Sequence, residues 1–139
     1  DKVKEKSKDN PVFYVQYAFA RINSLHRSLN ININSKIVLN EEDLELNDNE
    51  EKIIRKIFEW PKIIESASKK YEIHKIPFYL YELSTLFHSY WSKGNENKKY
   101  KFIENNKIKR LEILAIFNLV TIVIRNGMKI LGVSLPEKM

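Results

Sequence analysis

Asn10-Pro11-Val12-Phe13-Tyr14-Val15-Gln16-Tyr17-Ala18-Phe19-Ala20-Arg21 sets the pattern for the rest of the chain. Asn offers a side-chain oxygen to the free N–H groups of a helix start. Pro at the first helical position gives up no hydrogen bond. Val12, Val15, Phe19, Ile22, Leu25 and Leu29 then recur at steps of three and four. That stripe predicts an amphipathic helix of about five turns. Asn30 to Asn34 is rich in Asn, which favours turns and ends the pattern.

The same periodicity continues downstream. Asn40 before Glu41-Glu42-Asp43 predicts a short helix to near Leu46. Asp48 opens another, with Ile53, Ile54, Ile57 and Trp60 as its stripe. Pro61 breaks or kinks it, and Ile63, Ile64 and Ala67 carry on. Pro77 opens a helix through Leu80, Leu83, Leu86, Phe87 and Tyr90, which Gly94, Asn95 and Asn97 close. The last helix is expected to begin near Asn105 or Asn106 and to run through Leu111, Leu114, Phe117 and Ile124 to Leu131, with Gly132 at its end. It is apolar on most faces, so it is expected at the centre. Val133 to Met139 holds Pro136 and reads as extended. The fold class is therefore all-α, a bundle of about five helices.

The 139 residues suffice for one domain. With 3 Gly and 4 Pro, a turn-rich all-β fold is disfavoured. Cys is absent, which excludes disulfides, thiolate metal sites and thiol nucleophiles and suits a reducing, cytoplasmic setting. The first nine residues are charged and polar with one Val, so no signal peptide is read there. The apolar run Leu111 to Ile124 is interrupted and short for a bilayer, so no membrane partner is expected.

No catalytic chemistry is legible. His26, His74 and His88 fall on separate helices without metal-ligand spacing, so no metal site is expected. A Gly-rich phosphate loop and a serine elbow are both missing. The charge of +6 is uneven: Glu41 to Glu51 is acidic, whereas Lys93, Lys98, Lys99, Lys101, Lys107, Lys109 and Arg110 form a basic block between the last two helices. From the residues alone that block reads first as a solvated loop. Its second reading is a phosphate-facing surface beside Tyr90 and Trp91, an aromatic pair expected to be exposed, because bases stack on rings while Lys neutralises phosphate.

Both ends of the chain carry a resemblance. Gln16-Tyr17-Ala18-Phe19-Ala20-Arg21 resembles the Gln-Tyr-Ala-x-x-Arg signature of the carboxy-terminal anticodon-binding (DALR) domain of bacterial-type arginyl-tRNA synthetases, a class I synthetase helical domain. Tyr79-Leu80-Tyr81-Glu82-Leu83 with Phe87-His88-Ser89-Tyr90-Trp91 resembles that domain's aromatic helix, Trp91 standing for the usual Tyr. Leu135-Pro136-Glu137-Lys138-Met139 is close to the Ala-Pro-Glu-Arg-Met with which the family ends. Phe19 stands where the family commonly has His, so that histidine's role is not available here.

The resemblance implies that Tyr17, Arg21, Trp91 and Met139 converge on the anticodon, with His88 and Asn95 nearby. Lys98, Lys99 and Lys101 are then the candidates for phosphate. It also implies a junction over residues 1–9 leading from a missing catalytic core, and a domain over residues 10–139. The partners are the anticodon stem-loop of an arginine tRNA and the catalytic domain of the same chain, in a monomer. HIGH and KMSKS motifs are absent, so this part is expected to need no cofactor and to activate no amino acid alone. ATP and Mg belong to the parent enzyme. One alternative stays open from the residues, a helical protein-interaction module without RNA. The related anticodon domain of the cysteine enzyme is disfavoured by the match at Gln16 to Arg21 and at the carboxy end. Read without the resemblance, Tyr17 is a half-buried helix tyrosine, Arg21 a partner for a carboxylate across the bundle, and Trp91 a cover at the loop base.

Overall fold

A computed structural model of the chain describes residues 10–32, 36–40, 42 and 44–139. Helix α1 spans Pro11–Ser28, and the Asn10 side chain accepts from the backbone N–H groups of Val12 and Phe13. The Val15, Phe19, Ile22 and Leu25 stripe is buried. The helix ends at Leu29, and Asn30 turns left-handed with φ 54°. Residues 33–35, and the junction expected over residues 1–9, lie outside the described residues.

The short helix expected after Asn40 falls partly on residues 41 and 43, which lie outside the described residues. Between them Glu42 is in a 3-10 turn, and 44–47 are irregular. Asn47 is the real cap here. Its side chain accepts from the Glu50 N–H while the Glu50 carboxylate accepts from the Asn47 N–H, a reciprocal box that starts α2, Asp48–Phe58. Of the two outcomes the sequence left open at Pro61, a break or a kink, the structure shows the break. Proline cannot donate to the preceding turn, so α3, Trp60–Lys69, starts afresh around it.

Helix α4 spans Lys75–Glu96 and passes through Gly94, which the sequence had placed at its end. The glycine serves packing. A Cβ there would lie 2.4 Å from a ring carbon of Phe102, whose side chain fills the space instead. Helix α5 spans Leu111–Leu131. Gly132 caps it in the left-handed region at φ 68°, with Val133 N–H donating to the Met128 carbonyl. By length and composition α5 is apolar enough to cross a bilayer, but here it packs against α1, α2 and α4 as the core helix. Leu119 and Ile122 face outward from it. Gly127 lets α5 meet α4, since a Cβ there would press on Leu80.

The start of α5 departs from the sequence reading. Asn105 and Asn106 do not cap a helix. Both are left-handed, at φ 50° and 58°, and form the two-residue turn of a hairpin, β1 Ile103–Glu104 and β2 Lys107–Ile108. That backbone is the one a two-residue hairpin favours, and Asn tolerates it. The Lys109 N–H donates to the Phe102 carbonyl and closes the hairpin's base.

Glu50 ties these parts together. It is 1% exposed. The Tyr90 hydroxyl donates to it at 3.0 Å, and the Arg110 guanidinium pairs with the same oxygen. Tyr90 is therefore a core residue, where the sequence had it exposed beside Trp91, and Arg110 turns inward from the basic block. Lys93 also leaves that loop, lying within α4 and donating to Asn49.

Burial raises the Tyr79 hydroxyl well above its usual 10.0, with Glu59 adding to the effect. Burial does the same for Tyr90, with help from Glu50. In the folded chain both stay protonated, while the unfolded chain releases these protons above pH 10. Stability is then full below pH 10 and falls above it, by about 1.4 kcal/mol per pH unit for each group. Urea unfolding measured between pH 9 and 11.5 should show this loss. Tyr79→Phe, which removes one such group, should fall less steeply than wild type over that range. An equal slope would contradict the assignment.

Candidate nucleic-acid interface

Tyr17 and Arg21 are four residues apart on α1 and share a face. Trp91 comes from α4, and Met139 from the segment after α5. These four side chains line one open cavity of about 470 Å³, together with Ala20, Ser24, Leu25, Ser28 and Ile103. Four separate stretches of chain, α1, α4, the hairpin and the segment after α5, thus converge on it.

Arg21 is its centre. The guanidinium carbon lies 4.5 Å from the Tyr17 ring centroid and 5.3 Å from that of Trp91. Each ring face attracts the cation. Its Nη1 donates to His88 Nδ1 at 3.1 Å. A guanidinium has no acceptor, so Nδ1 must be the unprotonated nitrogen of His88. Nε2 therefore carries the hydrogen and donates to the Tyr14 carbonyl at 3.1 Å. Arg21 makes no ion pair with a carboxylate among the described residues. Its charge is held in place by rings and an imidazole without being cancelled.

His88 is consequently buried, 6% exposed, behind Arg21. It also stacks on Tyr17 at 5.4 Å and touches Tyr14 at 4.3 Å. It does not line the cavity; it holds a residue that does.

The Trp91 ring is fixed from the opposite side. Phe87 at 5.8 Å, Phe102 at 5.3 Å and Phe117 at 6.2 Å surround it. Phe102 is 3% exposed and also meets Tyr90 at 5.4 Å. The next residue, Ile103, begins the hairpin and lines the main cavity. Ile103 also lines a second cavity of about 390 Å³, with Asn95, Lys98, Lys101 and the Gly94 backbone. The two cavities therefore share Ile103, the first lined by rings and a thioether, the second by Lys98 and Lys101 together with the acidic Glu96. Lys99 lies outside both, its ammonium 5.5 Å from the Tyr100 ring.

Sequence reasoning placed Asn95, Lys98 and Lys101 near this region but did not see Phe102 and Ile103. A two-residue Asn-Asn turn between Ile103 and Ile108 was the available signal, and it was read as a helix cap. Gln16 and Arg27 were also missed. The Gln16 amide donates to the Ser134 carbonyl at 2.9 Å, and Arg27 Nη2 donates to the Glu137 carbonyl at 3.1 Å. These contacts run the segment 133–139 along α1. Phe19, at the position where a histidine was expected from the resemblance, is buried in the core.

Comparison with known proteins gives a consistent picture. A family model described as the DALR anticodon binding domain matches residues 15–139. An arginine–tRNA ligase of Pelagibacter ubique is 48% identical over 138 residues, covering 99% of this chain and 24% of that protein. An arginine–tRNA ligase of Bartonella bacilliformis is 40% identical, covering 100% of this chain and 25% of that protein. The chain thus spans about a quarter of the length of these relatives. A crystal structure from Campylobacter jejuni, named as a candidate arginyl-tRNA synthetase, superposes with a TM-score of 0.78 at 25% identity, covering 99% of this chain and 28% of that one.

His88 is a buried polar residue that bridges α1 and α4 behind this cavity. His88→Ala should lower stability by about 1–3 kcal/mol in urea unfolding, because it removes two hydrogen bonds at a buried position. Arg21→Ala should cost less, since Arg21 is only half-buried. The reverse order of costs would mean that His88 does not anchor Arg21.

Proposed function

The chain belongs to the DALR anticodon-binding domain family, and from that premise we propose that it binds the anticodon loop of an arginine tRNA. It serves as the tRNA-reading quarter of an arginine–tRNA ligase. The rest of that enzyme would carry ATP, Mg and the ligation chemistry, in the cytoplasm. The observation that supports this reading best is the convergence of Tyr17, Arg21, Trp91 and Met139 on one open cavity around an uncancelled cation.

The recognition problem is simple to state. Every arginine codon has G in the middle, so the middle anticodon base is always C, while its neighbours vary. Loop bases can be unstacked, laid on aromatic rings and read along their edges. Cytosine presents acceptors at N3 and O2. Uracil presents a donor at N3. Arg21 only donates, and its second nitrogen, Nη2, is not engaged by His88. A guanidinium directed at N3 therefore favours C over U. Tyr17 and Trp91 supply ring faces, and the Met139 thioether supplies a soft, polarizable wall. The cavity bearing Lys98 and Lys101 adjoins at Ile103, where the loop's phosphates would follow the base. Lys99 is the third candidate cation. They would contribute affinity and no sequence preference.

Binding of arginine anticodon stem-loops to variants tests the proposal. Trp91→Ala or Tyr17→Ala should weaken binding about tenfold or more, because one stacked base is worth about 1–3 kcal/mol. Arg21→Lys should shrink the preference for C over U at the middle position, since an ammonium cannot reproduce the planar fork. Full affinity and unchanged preference in these variants would remove the cavity as the reading site.

The phosphate surface is tested separately. Replacing Lys98, Lys99 and Lys101 by Ala should leave the C-over-U ratio intact. Each lost phosphate contact should reduce the log–log salt slope by about 0.7–0.9. An unchanged slope would place the phosphate surface elsewhere.

A further inference from the structure

Gln16 opens the Gln-Tyr-Ala-x-x-Arg stretch, yet it does not line the cavity that Tyr17 and Arg21 share. Arg27 likewise stands outside it. The two are eleven residues apart, about three helical turns, so they project from the same side of α1. The segment 133–139 runs along that side. Gln16 Nε2 donates to the Ser134 carbonyl at 2.9 Å. Arg27 Nη2 donates to the Glu137 carbonyl at 3.1 Å and to Ser24 Oγ at 2.9 Å. Both tail acceptors are main-chain carbonyls, so the grip does not depend on the side chains of the segment it holds.

We infer that Gln16 and Arg27 are positioning residues that clamp the segment 133–139 along α1, so that the Met139 side chain already stands in the cavity before RNA arrives. This rests on the reading of that cavity as the anticodon site. The physical need is clear. Beyond the capping bond from Val133 to Met128, the segment forms neither helix nor strand. Val133 and Leu135 pack on the core and Pro136 is half-buried, whereas residues 137–139 are exposed. Met139 is 50% exposed and its side chain has three rotatable bonds. Ordering this segment only on binding would cost conformational entropy, and holding it beforehand avoids that cost. Ser24 orients the Arg27 fork, which explains why a cation with no carboxylate partner among the described residues is directed at a carbonyl.

The competing reading makes Arg27 a direct phosphate contact, a reading closed to neutral Gln16. Stem-loop affinity is therefore measured for wild type, Gln16→Ala, Arg27→Ala, Met139→Ala and the two clamp variants combined with Met139→Ala. Each single clamp variant should bind about three- to tenfold more weakly, the range set by one hydrogen bond. Combined with Met139→Ala, neither should weaken binding further, because the clamp acts only through Met139. The salt slope should stay at the wild-type value. Additive losses, or a slope lowered by about 0.7–0.9 in Arg27→Ala, would overturn the inference.

A second measurement needs no RNA. Methyl relaxation in the free chain should show Met139 more mobile in Gln16→Ala and Arg27→Ala, with buried Met128 unchanged as a folding control. An equally ordered Met139 methyl in both variants would also overturn the clamp. The two readings fail differently. If Tyr17→Ala and Trp91→Ala leave binding untouched, the anticodon assignment falls. If they weaken it and the clamp variants do not, only the clamp falls.

Discussion

A carboxylate cannot be left unpaired in a protein interior without a penalty of several kcal/mol. Glu50 is such a group, and most of the arrangement follows from satisfying it. Asn47 donates to it from the start of α2, Tyr90 from the middle of α4 and Arg110 from the residue before α5. Arg110 also donates to the Glu45 carbonyl. Drawing Arg110 inward fixes where the hairpin must end. The hairpin in turn seats Phe102 against Gly94, Tyr90 and Phe117. Phe102 then sets one side of Trp91. The Trp91 ring is thus linked, through Phe102 and the hairpin, to the buried Glu50–Arg110 ion pair.

The opposite wall is built from a cation. Lysine in place of Arg21 would keep the charge but lose the planar contact with two rings and the directed donation to His88. The imidazole is well suited to the partner role because it accepts on one nitrogen and donates on the other. One side chain thereby satisfies both the guanidinium and the Tyr14 carbonyl. A carboxylate at the same place would hold Arg21 more tightly but cancel its charge, leaving it a poorer donor to a base. Under the proposed reading, the cavity bearing Lys98 and Lys101 would meet phosphate, and Ile103, which lines both cavities, would part it from the ring-lined one.

The helices were legible because local rules and packing agree. Asn10-Pro11 capped α1 as read, and most of the stripes of α2, α4 and α5 are buried, with Ile54 and Leu86 half-buried and Leu111 exposed at the start of α5. Misreadings cluster where one residue type serves two backbones. Asn caps helices and also adopts the left-handed conformation, and Asn105-Asn106 took the second course. Gly94 was read as a terminator because a helical glycine is costly, but the nearby ring explains it. Tyr90 looked solvent-facing because nothing local revealed that Glu50, forty residues earlier, would be buried beside it. The roles of Gln16 and Arg27 were beyond reach for a similar reason. Their partners are main-chain carbonyls more than a hundred residues away, and a carbonyl leaves no mark in the sequence. That Tyr17, Arg21, Trp91 and Met139 lie together was available only through resemblance, since periodicity gives faces of single helices and not the distance between them.

The central claim is that the middle anticodon base occupies the cavity between Arg21, Tyr17, Trp91 and Met139. The most direct measurement is a set of intermolecular nuclear Overhauser effects in the complex with an arginine anticodon stem-loop, the chain carrying labelled methionine methyls and the RNA a labelled central cytosine. The account predicts contacts from the Met139 methyl and the Trp91 ring to H5 and H6 of that cytosine. Contacts from the cytosine to the outward residues of α5, Leu119 and Ile122, with none to Met139 or Trp91, would contradict it.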